Sequence, residues 1–205
     1  MAVYIDEYLT ISKPSEGLFK DRGSKFIALA FPVTSENEVK EILEKLRNDY
    51  HDARHHCYAY MLGPEKNMYR ANDDGEPSGT AGKPVLGQIK SFDLTNVLIV
   101  VIRYFGGTKL GVSGLIHAYK TAAEEALKSA EIIKKILLDY YQLKFEYPAM
   151  NEIMRILKEE NIEQIDQKFD LSCSITIRFR KADTEKVLSK FDRVEKLKIE
   201  FVETK

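Results

Sequence analysis

The chain has too few cysteines for a disulfide framework. Its two, Cys57 and Cys173, lie far apart in strand-like segments, as buried thiols do in a reducing compartment. A charge excess is also missing: 31 Lys+Arg stand against 32 Asp+Glu. That balance excludes a bulk polyanion binder, although it can hide a local patch. Long apolar runs are absent as well, because the most continuous, Val97 to Ile102, falls far short of the roughly 20 residues that cross a bilayer. The first residues carry Asp6 and Glu7 and have neither the basic start nor the apolar middle of a signal peptide. Neither export nor membrane residence is therefore expected, and the expected location is cytoplasmic.

What is present is an ordinary globular composition, 44% hydrophobic and 31% charged over 205 residues. That suffices for one large core or two small ones and excludes a disordered chain. Tyr4 to Val33 reads as strands broken by the turn Asp21-Arg22-Gly23. Ser35 to Glu38 forms a capping box, and Val39, Ile42, Leu43, Leu46 and Tyr50 follow at helical spacing. Cys57 to Leu62 returns as a strand. From Gly63 to Pro84 the turn formers predict an irregular loop, long for a connection and hence a candidate for function. Val85 to Phe92 is a short amphipathic segment, and Val97 to Arg103 a central strand buried on both faces. A second glycine-rich turn leads to a helix from Leu115 to Ala130.

The last third predicts strand 136–147, a helix opened by Pro148, strands 162–169 and 171–179, a helix 184–191 and a strand 194–202. The order β-α-β-β-α-β is that of a ferredoxin-like split βαβ domain. The expected class is α+β, with a domain of residues 1–137 followed by one of residues 138–205.

Charge separates only at finer grain. Residues 138–205 hold 13 Lys+Arg and 14 Asp+Glu, leaving 18 of each before them. Between Pro77 and Ala123, however, Lys83, Lys90, Arg103, Lys109 and Lys120 face the single acid Asp93. This window holds the turn Arg103 to Gly114, which leaves a buried strand and enters a helix and so aims backbone N–H groups at one spot suited to phosphate or carboxylate. Gly106 and Gly111 have P-loop spacing, but Val112 and Ser113 stand where Lys and Ser/Thr are required, and no dinucleotide fingerprint occurs. The glycines are open to a second reading, positive φ and close packing, compatible with the first.

The segment Asp73-Asp74-Gly75-Glu76-Pro77-Ser78-Gly79-Thr80-Ala81-Gly82 carries hard oxygen ligands without EF-hand spacing. Its acids more plainly accept backbone N–H bonds and stiffen the loop. Ser78 and Thr80 have no nucleophile elbow, and His51, His55, His56 and Cys57 lack a fourth zinc ligand in the same domain. No metal, cofactor or catalytic residue is expected. Tyr140, Tyr141, Phe145, Phe169 and Phe179 read as core and sheet surface, since no RNA-recognition motif accompanies them.

Those two glycine-rich blocks, 73–84 and 101–107 with Lys109-Leu110-Gly111 and Gly114-Leu115, resemble the Impact/YigZ family of two-domain bacterial proteins. Ser24 to Ala28 and His51 to Tyr60 add to the resemblance, which spans the whole chain. It implies an N-terminal domain of the ribosomal protein S5 domain 2-like fold and a C-terminal domain similar to domain V of elongation factor G. Both folds recur in proteins that touch ribosomal RNA, so the resemblance implies a role at the ribosome or on structured RNA. Eukaryotic relatives restrain a stress kinase with the help of an RWD domain for which this chain leaves no room, so that partner is not expected. Ser113 and His117 replace a glycine and an arginine of the family pattern, which is expected to weaken any phosphate contact there and make it pH-dependent.

The leading expectation is thus a non-enzymatic RNA- or ribosome-associated protein that modulates translation. Lys83, Arg103, Lys109 and Lys120 would neutralise phosphates, Gly106, Gly107 and Gly111 would allow backbone approach, and residues 73 to 82 would shape the site. Two alternatives stay open: an enzyme or binding protein for a small phosphorylated or anionic metabolite, and an adaptor binding a protein partner through the C-terminal sheet.

Overall fold

The computed structural model describes residues 6–169 and 173–205. The expected strand starts at Tyr4 and Leu171 lie outside the described residues. Internal contacts divide the chain into Tyr8–Lys135 and a second unit of Ile136–Lys205 with Asp6 and Glu7.

In chain order the larger unit runs through β1 (Glu7–Ile11), β2 (Ser15–Asp21), β3 (Ser24–Pro32), α1 (Glu36–Asp49), β4 (His55–Leu62), β5 (Met68–Asn72), α2 (Gly82–Ser91), β6 (Val97–Tyr104), α3 (Gly111–Lys128) and β7 (Ile132–Ile136). Strands β1 and β7 pair as a ribbon, while the main sheet has the order β2-β3-β6-β4-β5 with antiparallel neighbours. The apolar run of β6 takes the centre because it has a partner on each edge and a layer on each face. Val97, Ile99 and Val101 pack with α2 and α3, whereas Leu98, Val100 and Ile102 pack with α1. Each such side chain contributes about 2 kcal/mol on leaving water. Ala118, Ala122, Ala123 and Ala126 are fully buried on α3, and their small size brings that helix close to the sheet.

Two local expectations need correction. The segment 63–84 is not loop throughout, since Met68–Asn72 pairs with β4 and Gly82 already opens α2. Strand β5 lies at the sheet edge, exposed over Met68, Tyr69 and Arg70, so no alternation marks it. The capping box is also displaced by one residue. Ser35 accepts from the Glu38 N–H, but the Glu38 carboxylate binds the backbone and hydroxyl of Thr34 at 2.9 and 2.8 Å instead of closing on Ser35. Those Thr34 bonds hold the Glu38 carboxyl below its ordinary pKa.

The smaller unit follows with β8 (Leu138–Phe145), α4 (Met150–Glu159), β9 (Glu163–Phe169), β10 (Cys173–Arg180), α5 (Thr184–Ser189) and β11 (Lys198–Thr204). Its antiparallel sheet has the order β11-β8-β10-β9. Leu143, Phe145, Ile175, Ile177 and Phe179 bury against Ile153, Ile156 and Leu157 of α4 and Val187 of α5. Tyr140, Lys144 and Arg178 alternate to the other face. There Arg178 pairs with Glu163 and Lys144 with Glu200, both at 2.6 Å. The chain is accordingly a mixed α/β protein of the α+β kind. Among the described residues no helix is long and apolar enough to cross a membrane.

Candidate functional site

The site is built where the end of β6 meets the start of β4. Antiparallel register sets His55 opposite Arg103, and the loop after β5 folds over both. Three backbone donors hold that loop: Asp73 Oδ1 accepts from Ala81 and Gly82 at 3.0 and 2.8 Å, and Oδ2 from Gly79 at 2.7 Å. Burial pushes the Asp73 carboxyl up, but the three N–H bonds and nearby Lys83 outweigh it and leave the pKa below the ordinary value. Asp74 accepts the His56 N–H at 2.6 Å, and its carbonyl lies 2.8 Å from His55 Nδ1. A carbonyl can only accept, so Nδ1 carries the proton and His55 Nε2 is left facing Glu76 at 3.9 Å. The Thr80 hydroxyl donates to the Pro77 carbonyl at 2.7 Å and has no base beside it, while Ser78 is exposed.

Glu76 turns inward. Its Oε1 accepts from Arg103 and, at 2.9 Å, from the Tyr119 hydroxyl. With side chains 4% and 7% exposed, Glu76 and Arg103 form a buried ion pair. The Arg103 guanidinium carbon sits 5.4 Å from the Phe26 ring centroid and 5.6 Å from that of Phe105, and its Nε has no hydrogen-bond partner. Cys57 donates to the Asp73 carbonyl at 3.0 Å and lies 3.3 Å from the Tyr119 hydroxyl. Burial raises the pKa of both the thiol and the phenol, so Cys57 is a packed, unreactive thiol.

Above the ion pair opens a cavity of about 430 Å³. Its lining combines polar Arg54, His55, Glu76, Arg103 and Lys109 with apolar Pro77, Phe105, Leu110, Val112 and Leu115. Gly111 completes the lining. Leu110 is the N-cap of α3 and offers the first N–H groups no side-chain acceptor, so the positive end of an 18-residue helix meets the cavity. Three cations and one carboxylate leave the lining with an excess of two positive charges when His55 is neutral.

Of the basic residues singled out in the sequence, Arg103 and Lys109 line the cavity, and Lys83 and Lys120 do not. Arg103 is occupied by Glu76, and its guanidinium lies close to the Phe26 and Phe105 rings. Gly106 has a packing role: a Cβ there would come within 1.9 Å of the Gly23 carbonyl carbon. Gly107 and Gly111 take positive φ values of 89° and 73° with open space beside them. Gly75 and Gly79 also take positive φ in the 73–82 loop, where a Cβ would meet the His55 and Lys83 side chains at 3.5 Å. His117 meets Phe19 edge-on at 5.6 Å, and neither it nor Ser113 lines the cavity. Those two departures from the family pattern therefore lie off the lining. Among the described residues no group of three or more His, Cys, Asp or Glu could hold a metal ion.

Residues 22–127 match the family model of the Impact N-terminal domain. The chain belongs to the IMPACT family. Among IMPACT relatives, YvyE of Bacillus subtilis is 36% identical over 155 residues, covering 76% of this chain and 71% of that protein. YigZ of Escherichia coli is 33% identical over 155 residues, covering 75% and 76%. A crystal structure of a hypothetical protein superposes with a TM-score of 0.70 at 28% identity, covering 97% of this chain and 98% of that one. Every cavity-lining residue falls inside the matched Impact segment. Arg54 and His55 fall in the 51–60 block and Phe105 and Val112 in the 103–114 turn, but no pattern in the sequence joins them to one another or to Tyr119. Cross-strand register is the signal that would have joined His55 to Arg103.

Proposed function

We propose that this IMPACT family protein is a non-enzymatic, RNA- or ribosome-associated modulator of translation that makes its anion contact through the cavity of the larger unit. We read that unit as S5 domain 2-like and the smaller one as ferredoxin-like, resembling domain V of elongation factor G. The observation that carries the proposal is the convergence of Arg54, Arg103, Lys109 and the uncapped start of α3 on one concave surface. The ribosomal role that the family resemblance implies supports it from outside the site. The C-terminal sheet is the weaker docking candidate, because its charged groups already pair with one another across the open face.

Titration of the purified protein against ribosomes and structured RNA at two ionic strengths tests this. Affinity is expected to fall steeply with salt, and Lys109→Ala to lower the slope of log K against log salt by about one. Absence of salt-sensitive binding to either target would sink the proposal.

A further inference from the structure

The cavity has a shape and charge that a stretch of RNA backbone does not need. Ligand sites start near about 300 Å³, so a space of about 430 Å³ takes one nucleotide-sized group. Orthophosphate alone would leave Phe105, Leu110, Val112 and Leu115 unused. Phe105 and Val112 are 47% and 60% exposed and offer apolar surface beside the cations of the lining. The lining's excess of two positive charges matches a phosphate monoester, whose second pKa of about 6 makes it close to a dianion at neutral pH. An internal phosphodiester carries only one charge.

The contrast with α2 sharpens the point. There the first N–H groups are already taken by the Asp73 carboxylate. At α3 the N-cap provides no acceptor, and Arg103, 6% exposed, lines the same cavity with a buried Nε that has no partner. Among the described residues a carboxylate caps the start of α2 and no side chain caps that of α3.

We infer that the cavity binds a nucleoside 5′-monophosphate group, with the phosphate on the α3 N-terminus between Lys109 and Arg54 and the base against Phe105 and Val112. This rests on the reading of the cavity as an anion site and goes further by naming the ligand. The group has two sources, a free mononucleotide or the 5′-phosphorylated end of an RNA, and the same chemistry recognises both.

The test measures affinity by calorimetry for AMP, GMP, CMP and UMP, for adenosine and ribose 5-phosphate, and for one oligoribonucleotide with a 5′-phosphate or a 5′-hydroxyl. At least one mononucleotide is expected to bind at least tenfold more tightly than adenosine or ribose 5-phosphate. If the source is an RNA end, the 5′-phosphorylated oligonucleotide exceeds the 5′-hydroxyl form by the same factor; if it is the free nucleotide, the two oligonucleotides bind alike. Lys109→Ala is expected to weaken mononucleotide binding at least tenfold. Val112→Asp should abolish it, because the new carboxylate occupies the helix end, while leaving the melting temperature unchanged or raised. Ribose 5-phosphate binding as tightly as the mononucleotides would overturn the inference. So would salt-dependent RNA binding that ignores the 5′ end when no mononucleotide binds, an outcome that leaves the broader RNA proposal standing. Mononucleotide binding without any salt-sensitive RNA or ribosome binding would instead support the inference and remove the RNA proposal.

Discussion

The two glycine-rich segments do the same local job, each feeding a helix, and end in opposite states. The 73–82 loop closes on itself: Asp73 caps the start of α2, Asp74 holds the first residues of β4, and Glu76 turns under the loop to Arg103. The 104–111 turn has no acid, so α3 begins after its Leu110 N-cap with its positive end at the cavity. A helix N-terminus favours an anion whoever provides it. Where the sequence places a carboxylate nearby, that carboxylate caps the helix start; where it places lysine, arginine and apolar side chains, the helix start faces a cavity they line.

Removing the partners that hold the 73–82 loop should break this contrast, beginning with the largest effect. Arg103→Ala leaves Glu76 buried and uncompensated and is expected to cost about 3–5 kcal/mol in urea denaturation. A loss below about 1 kcal/mol would mean that water replaces the guanidinium. Asp73→Ala strands three N–H donors and is expected to cost about 3 kcal/mol. The same residue has a pH signature. Its carboxyl is depressed in the folded protein, so its stabilisation is fully present above the unfolded carboxyl range of about 4 and disappears as pH falls through the lower folded value. Stability measured from pH 6 down to pH 3 should therefore fall less steeply in Asp73→Asn than in the wild type, and parallel curves would contradict the assignment.

Gly106→Ala comes next, at about 2 kcal/mol, since its Cβ meets the Gly23 backbone and not a movable side chain. Gly107→Ala meets open space and is strained only by its φ of 89°, so it should cost about 1 kcal/mol. Equal melting temperatures for the two variants would refute the close-packing role of Gly106. The smallest effect has the opposite sign. Val112→Asp puts an acid in the first turn of α3 and should stabilise the fold by about 0.5 kcal/mol. Destabilisation there would show that the helix end is already satisfied.

Much of the fold was legible in the chain because its strongest elements are periodic. The apolar run of β6, the alanine-rich α3 and the Ser35 start of α1 stand where their patterns put them, within a residue or a turn. Edge strand β5 was not legible, because its exposed residues satisfy no burial pattern and it exists only by pairing with β4. The basic window was too inclusive for a similar reason. Lys83 and Lys120 are close to the site in sequence, but the helix faces that carry them do not line the cavity.

By itself the sequence determined which segments bury, where glycine permits positive φ, and that two acid and basic stretches adjoin glycine-rich turns. Those properties are local, set by side-chain size, backbone freedom and hydrophobic spacing. Only the tertiary structure decided that Glu76 neutralises Arg103, that His55 lies opposite it, and that Lys109 and Arg54 share a cavity with the open end of α3. Each of these depends on strand register and on the approach of a loop from across the sheet, and the net charge of a site is settled only when such neighbours meet.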